Sequence, residues 1–521
     1  MKTVKGILKG LAVFILLVII VVGSIFIYNW RDRHPDYTID LKIENKNESS
    51  LKAGFAKKTI TPTIVDTWND ANGNNKYGED EGDTYNDNNN NGKFDAYWIA
   101  GMSNAKPAQG VHDDVWSRVM VLDDGKSRIA MISMDAIGFL HGDVIDIRNR
   151  IPEELGIDYT LLSSTHTHES NDLVGIWGEN MFNSGVNDEM MEYVKEQTVA
   201  AVVEAAKNLR PAKLVFAEDL SGKDSTLIKD TRKPIVKATG IHVMQVLDAE
   251  NDQTLGSLIN WSNHPETLWS QNLLISSDFP HYVREAIEKG VFNGTEKMEE
   301  GLGGVAIYFT GVIGGLMAPH PSISIADPFT GIEYAEPTYE KTKALGDQIA
   351  LMSLAALKKE GDTINTSNIS VRAKTIFADL DNTTFKIASG IGLIKMGMPE
   401  YFNKRTEVGA IRIGPALFLS IPGEIYPEIV FGGVEAPKGR DFEIQPLEIP
   451  PIQELIKDKY KFYLGLSNDE IGYIIPKSEW DVEKPYLYHD HGDTYGEGNS
   501  LGPETGPFIY KSLVEVIEDL N

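Results

Sequence analysis

Short apolar runs alternate with stretches of helical spacing from residue 119 almost to the end of the chain, and few folds accommodate that order. Residues 119–122 and 128–136 have the composition of strands, 143–155 has helical spacing, and 159–165 is strand-like again, which predicts a βαβ unit. Further strands are expected at 213–217, 240–247, 255–261, 305–310 and 416–421, with helices at 188–209 and 339–359. The consistent reading is a mixed-sheet α/β fold. A length of 521 residues allows roughly three average domains. Large α/β enzymes often keep one core over several hundred residues, and a single large domain over 53–521 is expected.

Composition narrows the partners. The formal charge of -27 argues against nucleic acid, whose phosphates require an excess of Lys and Arg, and against anionic membrane surfaces. Cysteine is absent, which removes disulfides, thiolate zinc sites and cysteine nucleophiles. In residues 1–30, Lys2, Lys5 and Lys9 precede an uncharged run at 11–28, LAVFILLVIIVVGSIFIY. That run approaches the ~20 residues that cross a bilayer and exceeds the ~7–15 of a cleavable signal. A single-pass signal anchor is expected, with the lysines cytoplasmic and the rest of the chain periplasmic or extracellular, although Arg31 and Arg33 reduce the charge asymmetry. Residues 31–52, ending in ENKNESS, read as a polar tether.

An Asn- and Asp-rich insertion occupies 66–98. It contains two registers of alternating oxygen side chains, Asp70, Asn72, Asn74 and Asp87, Asn89, Asn91, Asp95. Such spacing wraps a hard cation, and Ca2+ is expected, with Glu79, Glu81 or Asp83 completing the first loop. Trp98 stands where the second loop would carry its last glutamate, and Tyr77 and Phe94 recur as loop anchors. The alternative is a disordered polar insertion.

The chemistry gathers at strand ends. LLSSTHTHE delivers His166 and His168 two residues apart, so an extended backbone places both on one face. Paired imidazoles suit a borderline-soft cation such as Zn2+; the alternative is two surface histidines in a polar loop. His264, with Pro265 and Glu266, follows another apolar strand, and Glu424 follows a third. Histidines and a carboxylate on separate strands have the composition of a catalytic zinc site, although spacing alone leaves open whether they meet.

These segments resemble the neutral ceramidase family. The resemblance is carried by GVHDDVWSRVMVL at 110–122, THTH at 165–168, NWSNHPETL at 260–268, ISSDFPHYV at 275–283, IPGEIYPEI at 421–429, GLSNDEIGYIIP at 465–476 and YGEGNSLGP at 495–503. It implies a zinc amidase domain that cleaves N-acylated sphingoid bases to a fatty acid and the base. Carried over by position, it implies zinc ligands His166, His264, Glu424 and Tyr473, with His168 as an acid-base or orienting group. Arg232 would grip a product carboxylate. His112, Asp135, Thr267 and Tyr495 would line the substrate pocket, although a cap or core hydrogen bond explains His112 and Asp135 equally. His489 and His491 read as loop residues near the mouth, or as a second metal site.

Three departures stand out. Where the family carries a GDxSPN stretch the chain reads TGVIGGLMAPH, placing Gly314 or Ala318, by the choice of alignment, at the family's serine. This disfavours a serine nucleophile and leaves a zinc-bound water. The chain ends at Asn521, so no counterpart of the family's C-terminal immunoglobulin-like domain is expected, and the Asn-rich insertion is foreign to the family pattern. Two function classes follow: a membrane-anchored zinc hydrolase of an N-acyl lipid or another amide or ester, or a calcium- and zinc-stabilised surface module of the same fold without turnover. The oligomeric state is left open.

Overall fold

The computed structural model describes residues 2–400, 402–489 and 494–521. The chain begins with helix α1 (Lys2–Trp30), then the short strand β1 (Asp40–Ile43) and β2 (Ser49–Thr59). Beyond the insertion come β3 (Trp116–Asp123), β4 (Arg128–Met134), α2 (His141–Arg150), β5 (Tyr159–Ser164), α3 (Asp188–Lys207), β6 (Arg210–Asp219), β7 (Ile241–Asp248) and β8 (Thr254–Trp261). The later elements are α4 (Phe279–Lys289), β9 (Val305–Thr310), α5 (Tyr339–Glu360), β10 (Ile369–Asp379), α6 (Thr383–Gly390), β11 (Asn403–Ile413), β12 (Ala416–Ser420), β13 (Glu424–Ile425), β14 (Tyr460–Leu464), β15 (Tyr473–Ile474) and α7 (Thr505–Leu520).

Among the described residues the main strands form two sheets, a larger one in the order β9-β8-β7-β6-β2-β3-β4-β5 and a smaller one in the order β1-β10-β11-β12-β14. The β4–β5, β8–β9 and β12–β14 pairs are parallel, and the other neighbours along these two paths are antiparallel. The strands of the larger sheet are covered on both faces, which is why they read as near-continuous apolar runs. Alternate residues divide between two cores: Met120, Leu122, Met131 and Leu161 meet Val371, Ile411 and Phe462 of the smaller sheet, while Val119, Val121, Ile132 and Leu162 face α2 and α3. Helices α4 and α5 also back the larger sheet, and α7 lies on the smaller one. The mixed α/β expectation holds, and the architecture is a helix–sheet–sheet–helix stack.

Two expectations change. Residues 31–52 do not form a free tether: Leu41 and Ile43 alternate with charged residues and pack on the inter-sheet core, so Asp40–Ile43 becomes an edge strand, and Ser49 already belongs to β2. Helix α2 stops at Arg150 rather than reaching Leu155, because Pro152 holds Ile151 in extended backbone, and Glu153–Leu155 makes a separate turn.

The carboxyl ends of β5, β8, β9 and β14 are drawn together. The Thr310 hydroxyl donates to the Thr165 carbonyl at 2.5 Å, the Gly465 N–H to the Thr310 carbonyl at 3.0 Å, and the Ser164 N–H to the Leu466 carbonyl at 3.1 Å. Residues that follow these strands therefore converge on one place.

Candidate metal centre

His166 leaves β5 with φ of 67°, a left-handed conformation uncommon for a non-glycine residue and often found at functional sites. Its N–H is held by the Ala136 carbonyl at 2.9 Å, and its Nδ1 donates to the Ile137 carbonyl at 2.5 Å. His264, past the end of β8, is held the same way, with Nδ1 2.6 Å from the Met317 carbonyl. Each ring is thus fixed with Nε2 as the free nitrogen, the arrangement by which backbone carbonyls orient metal-binding imidazoles. The two Nε2 atoms meet one oxygen of Glu424, at 3.7 Å from His166 and 3.0 Å from His264. Glu424 pairs directly with Tyr473 in the parallel β13–β15 ladder, which sets the two side by side.

His168 completes the group, its ring 4.8 Å from that of His166 and 5.7 Å from that of His264. Both its nitrogens are buried without a hydrogen bond, although Nδ1 lies 3.3 Å from Glu266. Burial lowers the pKa of His166 to about 4 and pushes that of His168 well down, so both rings are neutral near pH 7. Burial also opposes charge on His264, but Glu424 and Glu266 outweigh it and its pKa is raised. Burial pushes Glu266 up to about 7. Glu424 is lowered despite burial, by His166, His264 and Tyr473.

The donor atoms of His166, His168 and His264 lie within 4.8 Å of one another, and so do those of His166, Glu424 and Glu470. Two imidazoles with Nε2 turned to one carboxylate oxygen fit a metal cation, and beside them His168 holds two buried nitrogens without a hydrogen bond. Glu470 and Glu266 carry no role in the sequence reading. Glu470 stands three residues before Tyr473, with one oxygen on the Gly472 N–H at 2.7 Å and the other buried and unpartnered.

Two cavities flank the centre. One is walled mainly by apolar groups including Ile137, Leu140, Val174, Phe385 and Met396. The other is larger and more polar, and reaches His264, Glu266, Lys229 and Arg232. His168, Tyr473 and Tyr495 border both.

This architecture is found in solved structures. A neutral ceramidase from Pseudomonas aeruginosa matches 90% of this chain and 74% of its own with a TM-score of 0.61 at 14% identity. A structure described as a ceramidase complexed with C2 matches 90% of this chain and 75% of its own, also with a TM-score of 0.61, at 13% identity. The chain has the neutral ceramidase fold. No protein-family model and no curated protein matches it by sequence.

Within the ceramidase fold the remaining expected site residues scatter. Tyr495 borders both cavities. Arg232 lines the polar cavity but turns its donors inward, to Glu497 at 3.0 Å and to the Glu479 and Lys233 carbonyls, between the rings of Tyr426 and Tyr488. Asp135 takes both arms of buried Arg284, at 2.8 and 2.9 Å, so it is a core ion pair rather than a pocket group. Thr267 is buried and donates to Asp278 at 2.7 Å, and His112 stacks on Tyr339 with 3.6 Å between rings. His489 lines the polar cavity and contacts Glu497 at 2.9 Å; His491 lies outside the described residues. Ala318 borders the polar cavity, and a Cβ on Gly314 would lie 2.4 Å from the Tyr426 ring and 2.6 Å from the Ile425 backbone.

The insertion forms two loops with the same hydrogen-bond pattern. Asp70 accepts from the N–H groups of Gly73, Asn74 and Asn75, as Asp87 does from those of Asn91 and Gly92. Asn72 and Asn74 reach one oxygen of Glu81 at 2.7 and 2.6 Å, and Asn89 and Asn91 reach one oxygen of Asp95 at 2.6 and 2.7 Å. Of the three candidates for completing the first loop, Glu81 converges on it, while Asp83 turns to the N–H groups of Ala71 and Gly78. Tyr77 and Phe94 pack at 4.7 Å and join the loops.

Proposed function

We propose that the chain is a membrane-anchored, zinc-dependent hydrolase that cleaves the amide of an N-acyl lipid, resembling ceramide in carrying an acyl chain on nitrogen. The observation that carries this is the pair of imidazoles pinned through Nδ1 to backbone carbonyls with both Nε2 atoms on Glu424, between an apolar cavity and a polar one. His166, His264, Glu424 and Tyr473 would hold the ion. A bound zinc ion supplies a water whose pKa falls towards ~7 and a Lewis acid for the scissile carbonyl. The apolar cavity seats the acyl chain, and the polar cavity receives the amine side of the substrate.

His168 is neutral, buried and free of hydrogen bonds, so it can take a proton and return it to the departing amine nitrogen. Glu266, 3.3 Å from its Nδ1, would stabilise the imidazolium while it exists. No serine is required, and the close backbone at Gly314 leaves no room for one at that place. The two Asn-rich loops are assigned as calcium sites, Asp70, Asn72 and Asn74 with Glu81, and Asp87, Asn89 and Asn91 with Asp95.

The test is hydrolysis of N-acylsphingosine in detergent micelles by the zinc-loaded full chain. His168→Ala is expected to lose roughly 10²–10⁴-fold in turnover while keeping its zinc and its melting temperature. A zinc-loaded parent that hydrolyses neither N-acylsphingosine nor a short-chain N-acyl amide would contradict the reading and favour the surface module.

A further inference from the structure

Helix α1 is long and apolar enough to cross a membrane over Lys5–Trp30, and its last turn is fastened to the wall of the apolar cavity. The Trp30 indole donates to the Lys386 carbonyl at 3.0 Å and the Asn29 amide to the Gly390 carbonyl at 2.9 Å, both on α6. Phe26 lies so close to Gly390 that a Cβ there would sit 2.3 Å from its ring. The chain leaving α1 is fixed as well: the Trp30 carbonyl accepts from the Met398 N–H at 2.8 Å, Arg33 donates to the Lys395 carbonyl at 2.9 Å, and Asp32 pairs with Arg405. At ~1.5 Å of rise per residue, the end of the uncharged run at Tyr28 is within a few ångströms of these contacts. No tether separates membrane from domain.

Helix α6 has two apolar aspects. Phe385 lines the cavity beside the metal centre, and Ala388 is buried in the cluster formed by Leu140, Leu393 and Ile394. Ile387 and, one turn on, Ile391 remain 50% and 37% exposed. The neighbouring loop, whose Ser184 hydroxyl donates to the Leu393 carbonyl, leaves Met181 and Phe182 at 68% and 73% exposed. Large apolar side chains left in water beside a membrane helix mark a surface that water does not cover. Tyr28 with Arg31 over its ring, and Phe402 with Lys386 over its ring, are the aromatic–cation pairs of a membrane interface.

We propose that the seam of α1 and α6 lies at the bilayer surface, with Ile387, Ile391, Met181 and Phe182 in the lipid interface. The apolar cavity of the metal centre then opens onto the membrane that holds α1 and draws a lipid acyl chain from it. This rests on the readings of α1 as a membrane span and of the metal centre as an amide hydrolase.

Because the chain has no cysteine, single-cysteine variants carry one label each. The full chain is reconstituted in phosphatidylcholine vesicles containing brominated lipid, with bimane on Phe182→Cys, Ile387→Cys, Ile20→Cys inside α1, or Asn251→Cys in the exposed β7–β8 turn. Bromolipid is expected to remove most of the fluorescence at 182, 387 and 20 and little at 251. Quenching at 20 with none at 182 and 387 would overturn the docking proposal and leave the span intact. No quenching at 20, with the chain released by alkaline extraction, would overturn the span reading and the proposal with it.

Discussion

The residues around the metal centre differ in what each one's loss would do. Asp135 and Arg284 form a buried pair whose partners are 149 residues apart in sequence, which is why sequence position left a pocket role and a core hydrogen bond equally open. Asp135→Ala is expected to cost about 3–5 kcal/mol in urea unfolding, because it strands the guanidinium in the core, while leaving metal content per folded molecule unchanged. Gly314→Ser would force a side chain against Tyr426, and a loss of about 1–3 kcal/mol with no gain in turnover is expected. His166, His264 and Glu424 each follow a strand that the alternation locates, whereas Tyr473 was expected only from the family resemblance. Glu266 and Glu470 lie in those same motifs without periodic spacing, and only the structure marks them, Glu266 by its approach to His168 and Glu470 by one buried oxygen without a partner.

At the scale of elements, strands buried on both faces and helices α3 and α5 were readable because continuous apolar runs and 3.6-residue spacing survive without tertiary context. The edge strand Asp40–Ile43 was not, since half of its pattern is charged and its pairing comes from β10, over 300 residues away. Helix α2 is tied to the smaller sheet by Arg148, whose guanidinium meets both oxygens of buried Glu407, at 2.6 and 2.9 Å. Burial disfavours the Glu407 charge, but Arg148 outweighs it and the folded-state pKa is lowered. A depressed carboxylate contributes stability above its unfolded value of ~4.3 and loses it as pH falls through the folded value. The melting temperature is therefore expected to drop on acidification below about pH 4.3, with a shallower dependence, from a lower starting point, in Glu407→Gln. In the insertion, calcium at ~100 times its Kd should stabilise the folded state by about 2.7 kcal/mol per site if the loops bind it. Calorimetry with and without a calcium chelator reads this, and unchanged melting would contradict the calcium assignment.

Across the whole molecule, two stacked sheets bring the strand ends to one point, where four separate stretches of the sequence meet: His166 with His168, His264 with Glu266, Glu424, and Glu470 with Tyr473. That convergence is a property of sheet order, which strand patterns alone do not specify, and the motif resemblance supplied it in advance. A metal ion at His166, His264, Glu424 and Tyr473 is the first requirement of the proposed hydrolysis. The direct measurement is elemental analysis of the detergent-solubilised full chain, purified without added metal, beside His166→Ala and His264→Ala. About one zinc per chain in the parent, and its loss in both folded variants, is the expected result. A parent that holds no zinc and takes none up on dialysis against it would contradict the account at its centre.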